Sequence, residues 1–166
     1  MEKWNKNKGY SLVELIVIMA ILAIVSVGGI VGVSAISSKP AQQAASKLKT
    51  VIQNDRTSAL GKYKTELFVV GEGGGVKVTE NFYTDGTTLS SSKDTRICDE
   101  KVKVQVSDDN ATWNDVVDGY SLTVNFDRSS GAIKIPDHGD VYFKFTKSGK
   151  SYTVRIYHLT GKVELQ

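Results

Sequence analysis

Cysteine, histidine and proline are scarce in this sequence, which has one, two and two of them among its 166 residues. The single thiol, Cys98, excludes an intrachain disulfide, so a domain outside the cytoplasm must rely on its hydrophobic core alone. Neither His138 nor His158 has a sequence context that pairs it with this thiol as a catalytic dyad. No other nucleophile–base arrangement emerges, so the sequence predicts no enzymatic activity, no catalytic residue and no cofactor.

A strong charge of one sign is also missing from most of the chain. Residues 61–166 carry fourteen Lys or Arg and fifteen Asp or Glu, which leaves that part nearly neutral. It therefore has no electrostatic footprint for nucleic acid. Positive charge is concentrated instead in residues 39–60 and at the extreme N-terminus, where Lys3, Lys6 and Lys8 stand against one glutamate.

The longest stretch without any charge is residues 15–38. As a helix its 24 residues would span about 36 Å, enough for a bilayer. Glu14 is the one charged residue between Leu12 and Ser38. A carboxylate at membrane depth costs roughly 2.5–3.5 kcal/mol on insertion scales and usually faces a partner rather than lipid. The segment therefore predicts a membrane helix whose single acid has a partner.

Glycine and proline mark two weak points along this predicted helix. Gly28, Gly29 and Gly32 lie in its second half, and each costs a helix up to about 1 kcal/mol relative to alanine. That half is predicted to bend, to unwind locally or to let another helix approach closely. Pro40 predicts a kink or the exit from the membrane.

Two ordinary functions for this N-terminal segment stay open. A secretory signal fits the basic start, and residues 33–35 (VSA) make an acceptable cleavage site, although the apolar part is longer than usual. A plain single-span anchor for a surface domain fits the length, with the lysines holding the N-terminus inside. Neither alternative gives Glu14 a role.

The eight-residue sequence KGYSLVEL at residues 8–15, after a basic leader and before an apolar helix, resembles the class III signal of type IV prepilins and pseudopilins. The resemblance implies that a membrane prepilin peptidase cuts between Gly9 and Tyr10 and methylates the new N-terminal residue, Tyr10. The family most often has phenylalanine there, and tyrosine keeps the ring. Cleavage would also remove the three leader lysines and, with them, a charge anchor that resists extraction from the membrane.

Cleavage after Gly9 would create an α-amine on Tyr10, four residues before Glu14. Residues at this spacing lie on one helix face, so the carboxylate could neutralise the amine of its own chain. In filaments of the family the same glutamate neutralises the first residue of a neighbouring subunit. The resemblance therefore implies that Glu14 forms an assembly charge pair.

Residues 39–60 continue the helix with apolar positions at helical spacing, which predicts one helix of about fifty residues with an amphipathic second half. Gly61 is predicted to end it in the left-handed conformation. The rest is β-rich and has no further helical pattern, so the predicted sheet is antiparallel. The predicted strands are residues 66–70, 75–79, 81–84, 102–107, 120–126, 132–135, 140–146, 151–158 and 162–165.

The last forty residues resemble minor pseudopilins of the GspH/FimT type, through the Phe126-x-x-x-x-Gly131 hairpin and the terminal Gly161-Lys162-Val163 hairpin. The predicted fold class is α+β, with a long N-terminal helix packed on an antiparallel β-sheet domain, as in pilins. The predicted division is a leader (1–9), a membrane and filament-core helix (10–38), an amphipathic helix half (39–60) and a β-rich domain (61–166).

Three polar segments remain as weaker candidates. The acidic clusters 108–110 and 137–140 lack the spacing of an EF-hand, and calcium binding at such loops stays open, although no metal site is predicted. Residues 90–94 (SSSKD) are predicted to form an exposed polar loop. The glycine-rich residues 71–75 lack the Lys-Ser/Thr of a phosphate-binding loop and are predicted to be a flexible connection.

The predicted function is a structural subunit of a type IV pilus, a type II secretion filament or a competence filament. Its expected partners are prepilin peptidase, other pilin or pseudopilin subunits, the inner-membrane assembly platform and the lipid bilayer. The chain would be a single-pass membrane protein with a cytoplasmic N-terminus, and then part of an extracellular or periplasmic filament. A surface binding module and a DNA-binding minor pilin stay open as alternatives, and the near-neutral domain does not favour DNA.

Overall fold

The computed structural model describes residues 11–61, 64–84, 86–136 and 139–166, with the backbone alone for residues 25–36 and for residue 135. Two compact units are present, Met1–Ile36 and Ser37–Gln166. Helix α1 (Leu12–Ser37) accounts for the described part of the first unit, and helix α2 (Lys39–Leu60) opens the second.

The second unit continues, in its described residues, with ten strands. They are β1 (Lys64–Glu72), β2 (Gly75–Tyr83), β3 (Leu89–Cys98), β4 (Lys103–Ser107), β5 (Asn114–Asp115), β6 (Ser121–Phe126), β7 (Ile133–Ile135), β8 (Val141–Lys147), β9 (Lys150–Ile156) and β10 (Val163–Leu165).

These strands form two five-stranded sheets. Sheet A has the order β3-β2-β1-β6-β7, and sheet B has the order β10-β9-β8-β4-β5. Every described pairing of neighbouring strands is antiparallel. The predicted α+β class and antiparallel pairing are therefore confirmed, with two sheets in place of the single predicted sheet.

Helix α2 lies against both sheets and closes the core of the second unit. Its buried face consists of small and apolar residues at helical spacing, with one acid among them: Ala41, Ala44, Ala45, Leu48, Val51, Ile52, Asp55 and Ala59. It packs against β1 and β3 of sheet A and against β8, β9 and β10 of sheet B. The largest side chains buried under it are Phe143 and Phe145 of β8, and both are fully excluded from solvent.

The predicted fifty-residue helix is divided at Ser38, where one helix ends and the next begins. Pro40 lies in the first turn of α2, a position where the missing N–H of proline costs no helical hydrogen bond. Gly61 does follow the last residue of α2, but the prediction of a left-handed conformation is wrong, because its φ is −80° and its N–H donates to Thr57 and Ser58 carbonyls.

The two strands missed by the sequence prediction are β3 and β5. Strand β3 is the edge of sheet A and is exposed over most of its length, so it shows no apolar alternation, and the predicted polar loop at residues 90–94 is strand instead. A break was also predicted near Glu80, but β2 runs through this residue, which is buried. The glycine-rich residues 71–75 form a tight hairpin between β1 and β2, with Gly73 and Gly74 at positive φ.

Candidate functional site

Helix α1 begins with two reciprocal hydrogen bonds between Ser11 and Glu14. The Ser11 backbone N–H donates to Glu14 Oε2 over 3.0 Å, and the Glu14 backbone N–H donates to Ser11 Oγ over 3.2 Å. This is a capping box, which satisfies two backbone N–H groups that the start of a helix leaves without partners. The Ser-x-x-Glu spacing before an apolar run is the sequence signal that could have predicted this cap.

Glu14 is exposed and lies in the first turn of α1, next to the residues of the predicted processing site. Its hydrogen bond to Ser11 gives the carboxylate a partner within its own chain. The predicted cleavage position and the predicted charge pair stay predictions, because their other members lie outside the described residues. These members are Gly9 and Tyr10. The leader lysines Lys3, Lys6 and Lys8 lie outside the described residues as well.

The apolar side chains of α1 that the structure describes, from Leu12 to Ile24, are all exposed. The backbone remains helical through Gly28, Gly29 and Gly32, whose predicted role in bending or close approach stays a prediction. Within the described part of the chain, no helix has both the length and the hydropathy needed to cross a membrane.

In the second unit, the connection after β6 and the connection after β9 share one geometry. The Gly131 N–H donates to the Asp127 carbonyl over 2.8 Å, and the Gly161 N–H donates to the Tyr157 carbonyl over 2.7 Å. Both glycines have positive φ, 70° and 63°. A Cβ atom on Gly161 would lie only 1.8 Å from the Gly131 carbonyl oxygen, so the two connections are in direct backbone contact.

Arg56 of α2 joins these two connections. Its Nε donates to the Gly131 carbonyl and to the Thr160 carbonyl, over 3.1 Å in each case. The helix is thereby fixed to β6–β7 of sheet A and to β9–β10 of sheet B through one guanidinium. Both hairpins were singled out from the sequence, but Arg56 was missed, since nothing near position 56 indicates contacts 75 and 104 residues away.

Asp55, next to Arg56, has a carboxyl group that is fully buried beneath α2. Its Oδ2 accepts a 3.1 Å hydrogen bond from Thr65 Oγ1 of β1, and its Oδ1 has no hydrogen-bond partner among the described residues. Burial is the main reason why its pKa rises from 3.8 to about 7, and the charge of Glu80 raises it further, against the effect of the Thr65 hydrogen bond.

The acidic loops considered for calcium use their described carboxylates internally. Asp109 accepts hydrogen bonds from the N–H groups of Ala111 and Thr112, which hold its pKa well below the usual range. Asp140 pairs with Arg155 at 2.6 Å, and Asp137 lies outside the described residues. Among the residues that the structure describes, no three His, Cys, Asp or Glu side chains are grouped so that they could hold a metal ion.

Comparisons with known proteins gave one family match and two structural matches. Residues 4–30 match the family described as the prokaryotic N-terminal methylation motif, which confirms the resemblance of residues 8–15 to a class III signal. No curated protein matches the chain.

The chain is also similar to two crystal structures of the type IV minor pilin FimU of Pseudomonas aeruginosa strain PAO1. One is 16% identical with a TM-score of 0.49, over 75% of this chain and 87% of that chain. The other is 17% identical with a TM-score of 0.48, over 75% and 91%. At these identities and scores, the likeness assigns no activity and no partner.

Proposed function

We propose that this chain is a structural subunit of a type IV pilin-like filament, either a minor pilin or a pseudopilin. The observation that carries the proposal is the methylation motif over residues 4–30, which contains Gly9, Tyr10 and Glu14. It precedes a compact α+β unit, so the chain combines an N-terminal apolar helix for packing with a separate domain for display.

Prepilin peptidase is the first proposed partner. It cuts between Gly9 and Tyr10 and transfers a methyl group to the Tyr10 amine. Before the cut, the chain is held in the bilayer with its lysine-bearing leader on the cytoplasmic side. After the cut, the leader charges are gone and the subunit is ready for extraction by the inner-membrane assembly platform into an extracellular or periplasmic filament.

Assembly then depends on α1 and on Glu14. Exposed apolar side chains along the described part of this helix supply the surface for contact with other subunits. A carboxylate in apolar surroundings gains most from a partner of opposite charge, and the Tyr10 amine of a neighbouring subunit is that partner. The pair fixes the register of an otherwise featureless apolar contact.

Mass spectrometry of the N-terminal peptide tests processing. The full chain is co-produced with a prepilin peptidase, extracted from membranes and digested. We expect a peptide that begins at Tyr10 and carries one extra methyl group, and the Gly9→Leu variant should keep its leader. An intact Met1 in the unmodified chain, or a start at Ile36, would contradict the proposal and support the anchor or the secretory signal, respectively.

Incorporation of a Glu14→Ala variant tests the assembly role. We expect normal cleavage and membrane insertion but little subunit in sheared filaments, because the apolar contact loses its charge pair. Glu100→Ala, which removes an exposed acid of the second unit, is the matched control and should assemble normally. Normal incorporation of Glu14→Ala would mean that assembly does not depend on the charge pair.

DNA capture is the second candidate within the same class of filament. The nearly neutral residues 61–166 give it little electrostatic support. A gel-shift assay with the full chain in detergent, at two salt concentrations, decides it. Salt-sensitive retardation of duplex DNA would favour uptake, and its absence would favour a purely structural role.

A further inference from the structure

The buried acid beneath α2 is not used by filament assembly as proposed above. Asp55 stands in the helical row of core residues that includes Ile52 and Ala59, and its side chain has no solvent exposure. One oxygen accepts from Thr65 Oγ1, and the other is buried without a hydrogen-bond partner in the described part of the chain. An ionised carboxylate in this position would carry a poorly compensated buried charge.

A second buried acid makes that charge still less favourable. Glu80 of β2 is 2% exposed, and its Oε2 is likewise buried without a hydrogen bond. Lys93 of β3 lies 3.6 Å from this oxygen, but the lysine side chain is 66% exposed, so solvent screens the pair. Burial also raises the pKa of Glu80. Among the described residues, the charge that acts on Asp55 is therefore that of a second acid rather than a base.

The charged groups on the other elements are directed elsewhere. Arg56 donates to the two glycine connections, and Lys64 and Glu66 of β1 pair with each other at 3.2 Å. The side chains that β8 and β9 turn toward the core are apolar. After β9, the backbone N–H of His158 donates to Asp140, and the ring Nδ1 of His158 is buried without a hydrogen-bond partner among the described residues. Across the described ranges, Asp55 forms no ion pair; Lys62 and Tyr63 lie outside those ranges.

We propose that Asp55 is held as a neutral carboxylic acid in the folded domain, and that its ionisation loosens α2 from β1. The contact between α2 and sheet A then depends on whether the Asp55 carboxyl group is protonated. The neutral acid keeps the Thr65 hydrogen bond and brings no charge into the core. The anion brings an unpaired charge into the core and repels Glu80. This inference is independent of the filament proposal.

The direction of the pH effect follows from linkage. The pKa of Asp55 is about 7 in the folded chain, above the value of about 3.9 for an unfolded aspartate. The folded state therefore holds the proton more tightly. This stabilisation is fully present below about pH 4 and is lost as the pH rises toward about 7, above which both states are ionised.

Amide hydrogen exchange of the full chain in detergent micelles tests the proposal. Protection factors, which remove the intrinsic effect of pH on exchange, are compared at about pH 5.5 and about pH 8.5 for peptides from the second half of α2 and from β1. We expect the protection factors to fall on the order of 30-fold from the lower to the higher pH, because Asp55 ionises freely once the contact has opened. Asp55→Asn, which mimics the neutral acid, should show no such fall.

Asp94→Asn is the matched control. Asp94 accepts a 2.7 Å hydrogen bond from Thr79 Oγ1, the same type of contact as that between Thr65 and Asp55, but it is exposed on the edge strand β3. This variant should keep the wild-type response. Equal protection at both pH values in the wild type, or an equal fall in Asp55→Asn, would overturn the proposal.

A carboxyl-carbon NMR titration of the wild-type chain covers the case in which Asp55→Asn does not fold. We expect the Asp55 resonance to titrate with a midpoint well above those of exposed aspartates, and Glu80→Gln to lower that midpoint by removing the like charge. A midpoint near 4 in the wild type would overturn the proposal without any variant.

Discussion

Helices α1 and α2 each carry an acid, and the two acids are stabilised in opposite ways. Glu14 of α1 is exposed, and its carboxylate accepts from the backbone of Ser11, three residues away. Asp55 of α2 is fully buried, and its one hydrogen bond comes from Thr65 on a separate strand. The first arrangement is complete within one helical turn, whereas the second exists only after α2 has packed on sheet A.

The same difference separates the two units as a whole. The functional signal of the N-terminal unit is contiguous, since residues 4–30 match a family on their own. The second unit depends on contacts between residues far apart, such as Arg56 with Gly131 and Thr160. Substitutions in the second unit should therefore affect stability most, and substitutions in the first should act locally.

The largest effect is expected from Gly161→Ala. The new Cβ would lie 1.8 Å from the Gly131 carbonyl oxygen and 2.9 Å from Arg56 Nε, so the backbone contact between the two connections must open. We expect a loss of about 4 kcal/mol in the free energy of unfolding, at the upper end for single substitutions. Denaturant unfolding of the full chain in detergent, followed by circular dichroism, measures it.

Gly149→Ala is the control for backbone conformation alone. Gly149 also has a positive φ, 76°, in a hairpin turn, but a Cβ there would meet no atom within 4 Å. Gly149→Ala should lower the free energy of unfolding by only roughly 1–2 kcal/mol, which is the cost of placing an L-residue in the left-handed conformation. Equal losses in the two variants would mean that the contact between the connections adds nothing to stability.

A smaller loss is expected from Arg56→Ala. Two charge-assisted hydrogen bonds disappear, and the Gly131 and Thr160 carbonyls lose a donor that links both sheets to α2. We expect the free energy of unfolding to fall by about 2 kcal/mol, because water can partly replace the half-buried guanidinium as a donor to the two carbonyls. The same unfolding experiment measures it.

Gln53→Ala, an exposed position on the same helix, should leave the unfolding midpoint nearly unchanged. Arg56→Lys separates charge from geometry, because an ammonium cannot reproduce the planar donor group of arginine. If Arg56→Lys matched the wild type, the positive charge rather than the geometry of the two hydrogen bonds would account for the effect.

Much of the fold follows from local patterns in the sequence. Helical spacing located α2, and alternation located β4, β6 and β9, each of which has one buried face. Glycines at turn positions predicted where the hairpins lie. Strand β3 could not be found in this way, because it is exposed along most of its length and is defined by its hydrogen bonds to β2.

The candidate sites differ in the same way, since some are contiguous in the sequence and others are formed by distant contacts. The signal around Gly9 and Glu14 was found because it is contiguous, and the Ser11 cap could have been found from its spacing. Asp55 and Arg56 look like ordinary polar residues of an amphipathic helix. Their contacts are made with β1 and with the two glycine connections, which no sequence window around position 55 contains.

The smallest effect is expected from Ser11→Ala, which removes one of the two capping hydrogen bonds at the start of α1. The loss of an N-cap side chain costs about 1 kcal/mol of helix stability. Since no residue beyond the first turn takes part, the cost should appear as faster amide exchange in residues 12–15 alone. The unfolding midpoint of the second unit should not move.

Ser11→Thr keeps the hydroxyl and should retain the wild-type exchange rates, which separates the cap from any effect of changing the side chain. Ser11→Ala gives the most direct comparison between the local contacts of Glu14 and the distant contacts of Asp55. If Ser11→Ala also lowered the protection of α2, the first turn of α1 would be coupled to the second unit, and the division into a locally stabilised unit and a unit stabilised by distant contacts would fail. Exchange confined to residues 12–15 would instead mean that Glu14 can change partners without cost to the folded domain, as the proposed assembly through its carboxylate requires.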